Sequence, residues 1–513
     1  MAVDSVERDG ATGSDRLVAM RLGLVGIMLW AGLAGAGAPR DGVCNVREYG
    51  ATGDGKTNDG AAIQRAIEDC AKAGGGVALL PAGNYLSGSV VLRSHITLRI
   101  LPGATLTGSR RMEDYNPPHL VSMSGAENVA IDGGGLIHGS GDAFRRDRDD
   151  HPYLLGVRPR PSPLLEIADS RDVRVQDIRI RDTPGWGIHV LRSDGVAIRS
   201  VSLVSPLRGP NTDGIDIDSS RNVRVSDSYI EGGDDAIVIK TPKRPGAPVG
   251  TAENITITNC VMTSTSNCFK LGTESTGDFK NIAISNCVMF KKPGAFRAPI
   301  SGIAIETVDG GTIDGLVASN ITMRDVGTPI FVRLGNRGRG MAEPRPGVLQ
   351  NVSIANVVAT GGLVTSSVTG LPGHLVRQVS LDNISISMKG GERTAGGLAV
   401  PELADHYPEA WMFGTLPAYG FYARHAEGLT LRNVRVRWEA EDVRPAMVFD
   451  DVRALTVDGF QAGTAAGEAP VVRLHNVVDG WMGFARVPAG VRKLTEVTGE
   501  GSREVRVGDG APR

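Results

Sequence analysis

The sequence predicts an all-β chain wound as a parallel β-helix, and three observations carry that expectation. Glycine is abundant (68 residues) and aromatic residues make up only 5%, a balance that with many Val and Ile favours short strands and tight turns over helices. One apolar pattern recurs, with hydrophobic residues at a start position and at +2, +5 and +7. Copies begin at Val173, Val196, Val223, Ile255, Ile282, Leu316, Val352, Val379, Leu429 and Leu455. Successive starts lie from 23 residues apart (Val173 to Val196) to 50 apart (Val379 to Leu429). The module is therefore constant while its loops vary, as in a solenoid. Alternation, a corner and alternation again describe two strands meeting at a bend. Finally, the hairpin turns that an antiparallel sandwich needs are scarce.

Taken in order, the chain opens with an expected leader over residues 1–36. Within it Arg21, the apolar run Leu22 to Leu33 and Ala34-Gly35-Ala36 read as a secretory signal peptide over 20–36, too short for a comfortable membrane span. Asp4, Glu7, Asp9 and Asp15 are unusual ahead of such a signal, so Met20 is the expected start. The protein is expected to be secreted or periplasmic, monomeric, and without a membrane partner after cleavage. A net charge of −2 gives no basic surface for nucleic acid. Residues 40–498 read as one β-helix domain and 499–513 as a flexible tail. Near its beginning, Asn58-Asp59-Gly60 precedes Ala61, Ala62, Ile63, Ala66, Ile67 and Ala71, a capped amphipathic helix ending at Gly74-Gly75-Gly76. Such a helix would cover the open end of the β-helix, whose strand groups are otherwise unpaired. Five cysteines are too few for a disulfide scaffold and lack metal-ligand spacing. Export would permit a Cys44–Cys70 bridge, while Cys260 and Cys287 share one repeat slot and read as stacked core residues.

A second strand column lies between the modules. Its inward pairs are Ile188/Val190, Ile215/Ile217, Ile237/Ile239, Phe269/Leu271, Ile303/Ile305 and Ile330/Val332. Alternation then turns His189, Asp216, Val238, Lys270, Ala304 and Phe331 outward, followed by Leu191, Asp218, Lys240, Gly272, Glu306 and Arg333. This mixed ladder of charge reads as a ligand-facing surface. Long loops are expected at 139–164, 334–347 and 389–420, the last carrying Tyr407, Trp411 and Tyr419 as candidate walls of a cleft.

The strongest chemical signal is Asn211-Thr212-Asp213, followed by Gly233-Asp234-Asp235. Each cluster stands just before an apolar strand, Ile215-Asp216-Ile217 in one case and Ile237-Val238-Ile239 in the other. If those strands stack about 4.8 Å apart, three carboxylates share one surface. Like charges that close raise at least one pKa, giving the protonated acid and ionised base that glycosidic cleavage uses.

With these clusters, the repeat and the opening Tyr49-Gly50-Ala51-Thr52-Gly53-Asp54-Gly55-Lys56-Thr57-Asn58-Asp59, the chain resembles glycoside hydrolase family 28, the polygalacturonase family, from about Val46 to Met323. The resemblance implies a right-handed parallel β-helix and inverting hydrolysis, with Asp234 as general acid and Asp213 and Asp235 positioning and deprotonating water. Pectin-like or other plant-type polysaccharide is the implied substrate, with no metal and no cofactor. Two family elements are absent. The family's Gly-His-Gly falls at Ser266-Asn267-Cys268, and its Arg-Ile-Lys, which by the resemblance binds a sugar carboxylate, falls at Ala304-Ile305-Glu306. Glu306 would repel a uronate by about 1–4 kcal/mol at about 4 Å, so smooth polygalacturonate is expected to be a poor substrate. Lys270 and Arg333 are the candidate displaced anion site. Trp186 offers a face for sugar stacking and His189 a hydrogen-bonding edge, one coil before Asp213. Asn211, Lys240, Asn267 and Glu306 complete the expected substrate-binding set, Asn211 mainly by shaping its turn.

Two other functions fit parts of the pattern. A β-helix polysaccharide lyase would use a basic residue such as Lys240 or Lys270 and Ca²⁺ on the clustered acids. A binding or adhesive β-helix would account for the lost motifs, though not for retention of all three acids.

Overall fold

The computed structural model describes residues 41–394, 397–463, 469–486 and 491–508. The expected leader and the last five residues of the expected tail lie outside them. Apart from a short antiparallel pair, Arg145–Arg146 with Leu155–Gly156, the described chain is a solenoid of parallel strands that pair with their counterparts one coil away, and one continuous apolar core from Cys44 to Ala485 fills its interior.

The corner of each module is built by a left-handed residue between its two apolar pairs: Asp177, Ser200, Asp227, Asn259, Asn286, Asn320, Asn356, Asn383 and Asn433, with φ between 50° and 55°. Asn and Asp tolerate that conformation better than other side-chain-bearing residues. The asparagines also stack, each amide donating to the carbonyl below: Asn320 to Asn286 at 3.1 Å, Asn356 to Asn320 at 2.9 Å and Asn383 to Asn356 at 2.8 Å. Cys260 and Cys287 are buried in the slot the repeat predicts.

Helix α1 (Gly60–Lys72) buries Ala62, Ile63, Ala66, Ile67 and Cys70, and a Cys44–Cys70 disulfide ties it to the strand Val43–Asn45. Its expected cap differs in detail. The Asp59 carboxylate accepts from the backbone of Thr52 and Gly53 at 2.7 and 3.0 Å, and Asn58 Oδ1 instead accepts from Gly60 N–H at 3.0 Å. At the other end, Arg503–Val507 pairs in parallel with Val478–Met482, so the solenoid continues past residue 498, where the tail was expected to begin.

The functional column comprises β1 (Leu165–Ala168), β2 (Ile188–Leu191), β3 (Ile215–Asp218), β4 (Ile237–Thr241), β5 (Asn267–Ser275), β6 (Ser301–Thr307), β7 (Thr328–Leu334), β8 (Ser366–Thr369), β9 (Phe421–Glu427) and β10 (Met447–Asp458). Its register stacks Glu166, His189, Asp216, Val238, Lys270, Ala304, Phe331, Ser367, Tyr422 and Val448. These side chains leave the barrel as alternation requires, yet all of them except the half-buried Glu166 are buried. The segment 398–418 packs over Ala304, Phe331, Tyr422 and Val448 with Val400, Ala410, Phe413, Leu416 and Ala418, forming a second apolar cluster outside the barrel. The expectation of an open ligand-facing ladder is corrected accordingly.

Candidate active site

The turns before β3 and β4 present the three acids side by side. Asn211 adopts the left-handed conformation (φ 52°), and Thr212 Oγ1 ties the two turns, accepting from Gly233 N–H at 2.8 Å and donating to Gly209 O at 2.9 Å. A Cβ at Gly233 would sit 2.2 Å from Gly209 O, so glycine alone permits this approach. One carboxylate oxygen from each of Asp213, Asp234 and Asp235 lies within 4.8 Å of the others.

Their surroundings differ. Asp235 is buried, and its Oδ1 accepts from Ser266 Oγ (2.8 Å), Asn267 N–H (3.0 Å) and Asn267 Nδ2 (2.8 Å), with Lys270 Nζ 3.6 Å from Oδ2. Burial opposes its ionisation, but Lys270 and these donors outweigh burial and hold its pKa below the usual 3.8. Asp234 opens on the cleft, and burial followed by repulsion from Asp235 lifts it to about 6. Asp213 is buried with Oδ1 unpartnered, and burial, then Asp234 and Asp216, raise its pKa well above 3.8. One site thus holds an ionised carboxylate beside two that retain protons in mild acid. It is also a potential cation site, although three oxygens fall short of the six to eight that Ca²⁺ takes.

The cleft, about 510 Å³, is lined by Asn211, Asp234 and Ser266 on the coil side. Its walls come from the loop 148–160 and from Tyr407, Glu409 and Trp411. Tyr407 and Trp411 therefore stand where the loop was expected to put them. Tyr419 does not: it is buried and its hydroxyl donates to Gly463 O at 2.6 Å.

Other expected ligand residues have protein partners instead. His189 Nδ1 lies 2.8 Å from Glu166 and Nε2 3.4 Å from Asp218. Burial opposes its charge, yet the two acids raise its pKa to about 9. Neither edge remains for a sugar. The Trp186 face is occupied by Lys240 Nζ, 4.2 Å from the ring centroid, and Lys240 pairs with Asp216 at 2.5 Å. Asn267 and Lys270 serve Asp235 from behind. Arg333, expected to offer an anion site, is buried: it donates to the carbonyls of Gly370, Glu402 and Leu403 at 3.1, 2.7 and 3.3 Å and stacks on Phe413. It is clamped by its own chain and has no fork left for a substrate. Glu306 is also buried, and burial raises it to about 8 despite Lys270 at 3.9 Å. A neutral Glu306 does not repel a uronate, which removes the repulsive part of the case against polygalacturonate and leaves only the missing cation pair.

Sequence reasoning missed Tyr153, Arg160, Arg297 and Glu409. Tyr153 hydroxyl donates to Gly233 O at 3.0 Å and accepts from Arg297, whose Nε donates to Thr265 O. Glu409 is raised to about 7, chiefly by burial. All four lie in irregular insertions, where no period marks them. A larger groove of about 760 Å³ crosses the N-terminal coils, but its arginines, Arg110 and Arg111, are paired with Asp142 and Asp114.

Comparison with known proteins agrees with this geometry. The glycosyl hydrolases family 28 signature matches residues 70–402. A probable polygalacturonase of Vitis vinifera is 26% identical over 371 residues, covering 66% of this chain and 73% of that protein. An exo-poly-alpha-D-galacturonosidase of Dickeya chrysanthemi is 28% identical over 253 residues, covering 38% of this chain and 41% of its own length. Among solved structures, an exopolygalacturonase from Thermotoga maritima superposes with a TM-score of 0.62 at 22% identity, covering 77% of this chain and 92% of that one. A Streptococcus pneumoniae surface adhesin, PfbA, also shares the fold (TM-score 0.50, 16% identity, 84% and 92% covered), so the solenoid alone does not decide between hydrolase and binder. The family signature extends across both acid-bearing turns, and the chain belongs to the glycosyl hydrolases family 28.

Proposed function

We propose that this glycoside hydrolase cleaves galacturonate-rich, pectin-like polysaccharide by single displacement. The observation that carries the mechanism is the separation of protonation states between Asp234 and Asp235. Protonated Asp234 gives its proton to the glycosidic oxygen as the bond to the anomeric carbon breaks, and the charge developing on the ring is stabilised by ionised Asp235. Water held by Asp213 attacks that carbon and yields its proton to Asp235. Exchange with solvent then returns the proton to Asp234. No step calls on a metal.

The 4.8 Å approach of the carboxylate oxygens is tighter than the roughly 6.5–9.5 Å typical of inverting pairs, which makes product stereochemistry the sharpest test. Proton NMR of the first-formed sugar should show inversion at the anomeric carbon. Retention would reassign Asp235 as a nucleophile. A lyase mechanism is disfavoured because Lys240 and Lys270 both have raised pKa values, set by Asp216 and Asp235 against burial, which leaves no neutral amine to act as base. New reducing ends without an unsaturated uronide chromophore are the expected assay result.

Two further readings accompany this one. The solenoid is taken as right-handed, the hand of nearly all parallel crossovers, with α1 closing its N-terminal end. Export is proposed from the signal-like leader together with the Cys44–Cys70 disulfide, which suits an oxidising compartment. No described helix is long and apolar enough to cross a membrane.

A further inference from the structure

We propose that the carboxylate of the substrate is read by Arg160, carried on the loop 148–160, and that this subsite stands in for the missing Arg-Ile-Lys. The inference rests on the galacturonan reading above. Arg160 is only 8% exposed, its Nη2 donates to Asn211 Oδ1 at 3.2 Å, and its Nη1 has no hydrogen-bond partner. It forms no ion pair among the described residues. Withdrawing a guanidinium from water without a counter-charge is costly. Burial, then Arg158 and Arg145, already push its pKa down. A substrate anion would relieve that penalty, and a planar carboxylate fits an arginine edge better than it fits an ammonium.

The position suits the chemistry. Asn211 joins Arg160 to the general acid, its Nδ2 lying 3.5 Å from Asp234 Oδ2. Arg160 lines the cleft together with Asn211 and Asp234, so a carboxylate that reaches its guanidinium docks beside the bond that Asp234 protonates. The loop backbone is fitted to the guanidinium: a Cβ on Gly156 would lie 2.3 Å from Nη1. Arg158 lines the same cleft, is exposed, and adds positive charge at its mouth. The other cations near the acids already have partners: Lys240 pairs with Asp216, Lys270 with Asp235, Arg333 donates to backbone carbonyls, and Arg297 donates to Thr265 O and the Tyr153 hydroxyl.

Two measurements test this. The first compares kcat/KM on oligogalacturonides and on the same oligomers after carboxyl reduction, for the unmodified protein, Arg160→Gln and Arg160→Lys. Arg160→Gln should lose about 10²-fold or more on the uronate but at most a few-fold on the reduced sugar, and Arg160→Lys should recover part of the loss. Equal loss on both substrates would make Arg160 a mere support for Asn211 and overturn the proposal, as would an unchanged preference. The second is calorimetric binding of free galacturonate against galactose, which needs no turnover. The unmodified protein should favour galacturonate, and Arg160→Gln should not discriminate. Discrimination without cleavage of either oligomer would uphold the subsite and reject the hydrolytic reading of the substrate, whereas cleavage without discrimination would do the reverse. If Arg160→Gln does not fold, Gly156→Ala displaces the guanidinium while keeping the residue, and the same loss of discrimination is expected.

Discussion

The outward column of β1–β10 has two halves made by the same alternation and put to different uses. From Glu166 to Lys270 it is mainly ionic, with successive coils supplying opposite charges: Glu166 and Asp218 on His189, Asp216 on Lys240, and Asp235 on Lys270. From Ala304 to Val448 it is apolar and lies under the segment 398–418. The first half holds charged groups in fixed protonation states behind the cleft. The second anchors the segment that brings Tyr407, Glu409 and Trp411 to the cleft wall. Outward orientation on a β-helix thus says nothing about exposure, which depends on what crosses the face.

The largest expected effect tests the ionic half. Asp234→Asn should lower kcat by about 10²–10⁴-fold, the usual contribution of general acid catalysis, with an unchanged melting temperature. Near-normal turnover in a folded variant would remove Asp234 from the mechanism. In the apolar half the effect should appear as stability. Phe331→Ala removes a fully buried ring and should cost about 3–5 kcal/mol in denaturant unfolding. A loss below about 1 kcal/mol would mean that the segment 398–418 does not pack as described.

Acidity separates the halves next. Activity requires Asp234 protonated and Asp235 ionised, so the rate should fall about tenfold per pH unit above about 6, with the acid limb below 3.8. Stability should also decline with rising pH, for a different reason. Glu306 and His189 both bind protons more tightly when folded. For Glu306 the penalty grows from 4.5 to about 8; for His189 the contribution present below 6.5 is lost through about 9. A rate profile flat from pH 5 to 8 would contradict the assignment of Asp234.

What the sequence revealed follows the same division. The module, the inward residues, the corner asparagines and the alignment of Asp213 with Asp234 and Asp235 all recur at fixed spacing, so one chain suffices to see them. Arg160, Arg297, Tyr153 and Glu409 lie in insertions that occur once, and their hydrogen bonds described above span 32 to 144 residues of sequence, beyond any local pattern. Arg333 illustrates the error most clearly. Its outward phase predicts a ligand-facing position, whereas a segment some 70 residues later supplies two of its three carbonyl partners. Removing that guanidinium is expected to destabilise by about 1–3 kcal/mol.

The smallest effect supplies the control. Val317 also points out of the barrel, stacked in register between Ala283 and Ser353, but among the described residues no segment covers it and it is 47% exposed. Truncating it removes little area from contact, so Val317→Ala should change stability by no more than about 0.5 kcal/mol. Measured beside Phe331→Ala, it separates the value of a covering segment from the value of an outward apolar residue as such. A loss for Val317→Ala approaching that for Phe331→Ala would show that stacking along the column, rather than the covering segment, stabilises the apolar half. The comparison drawn between the two halves would then have to be abandoned.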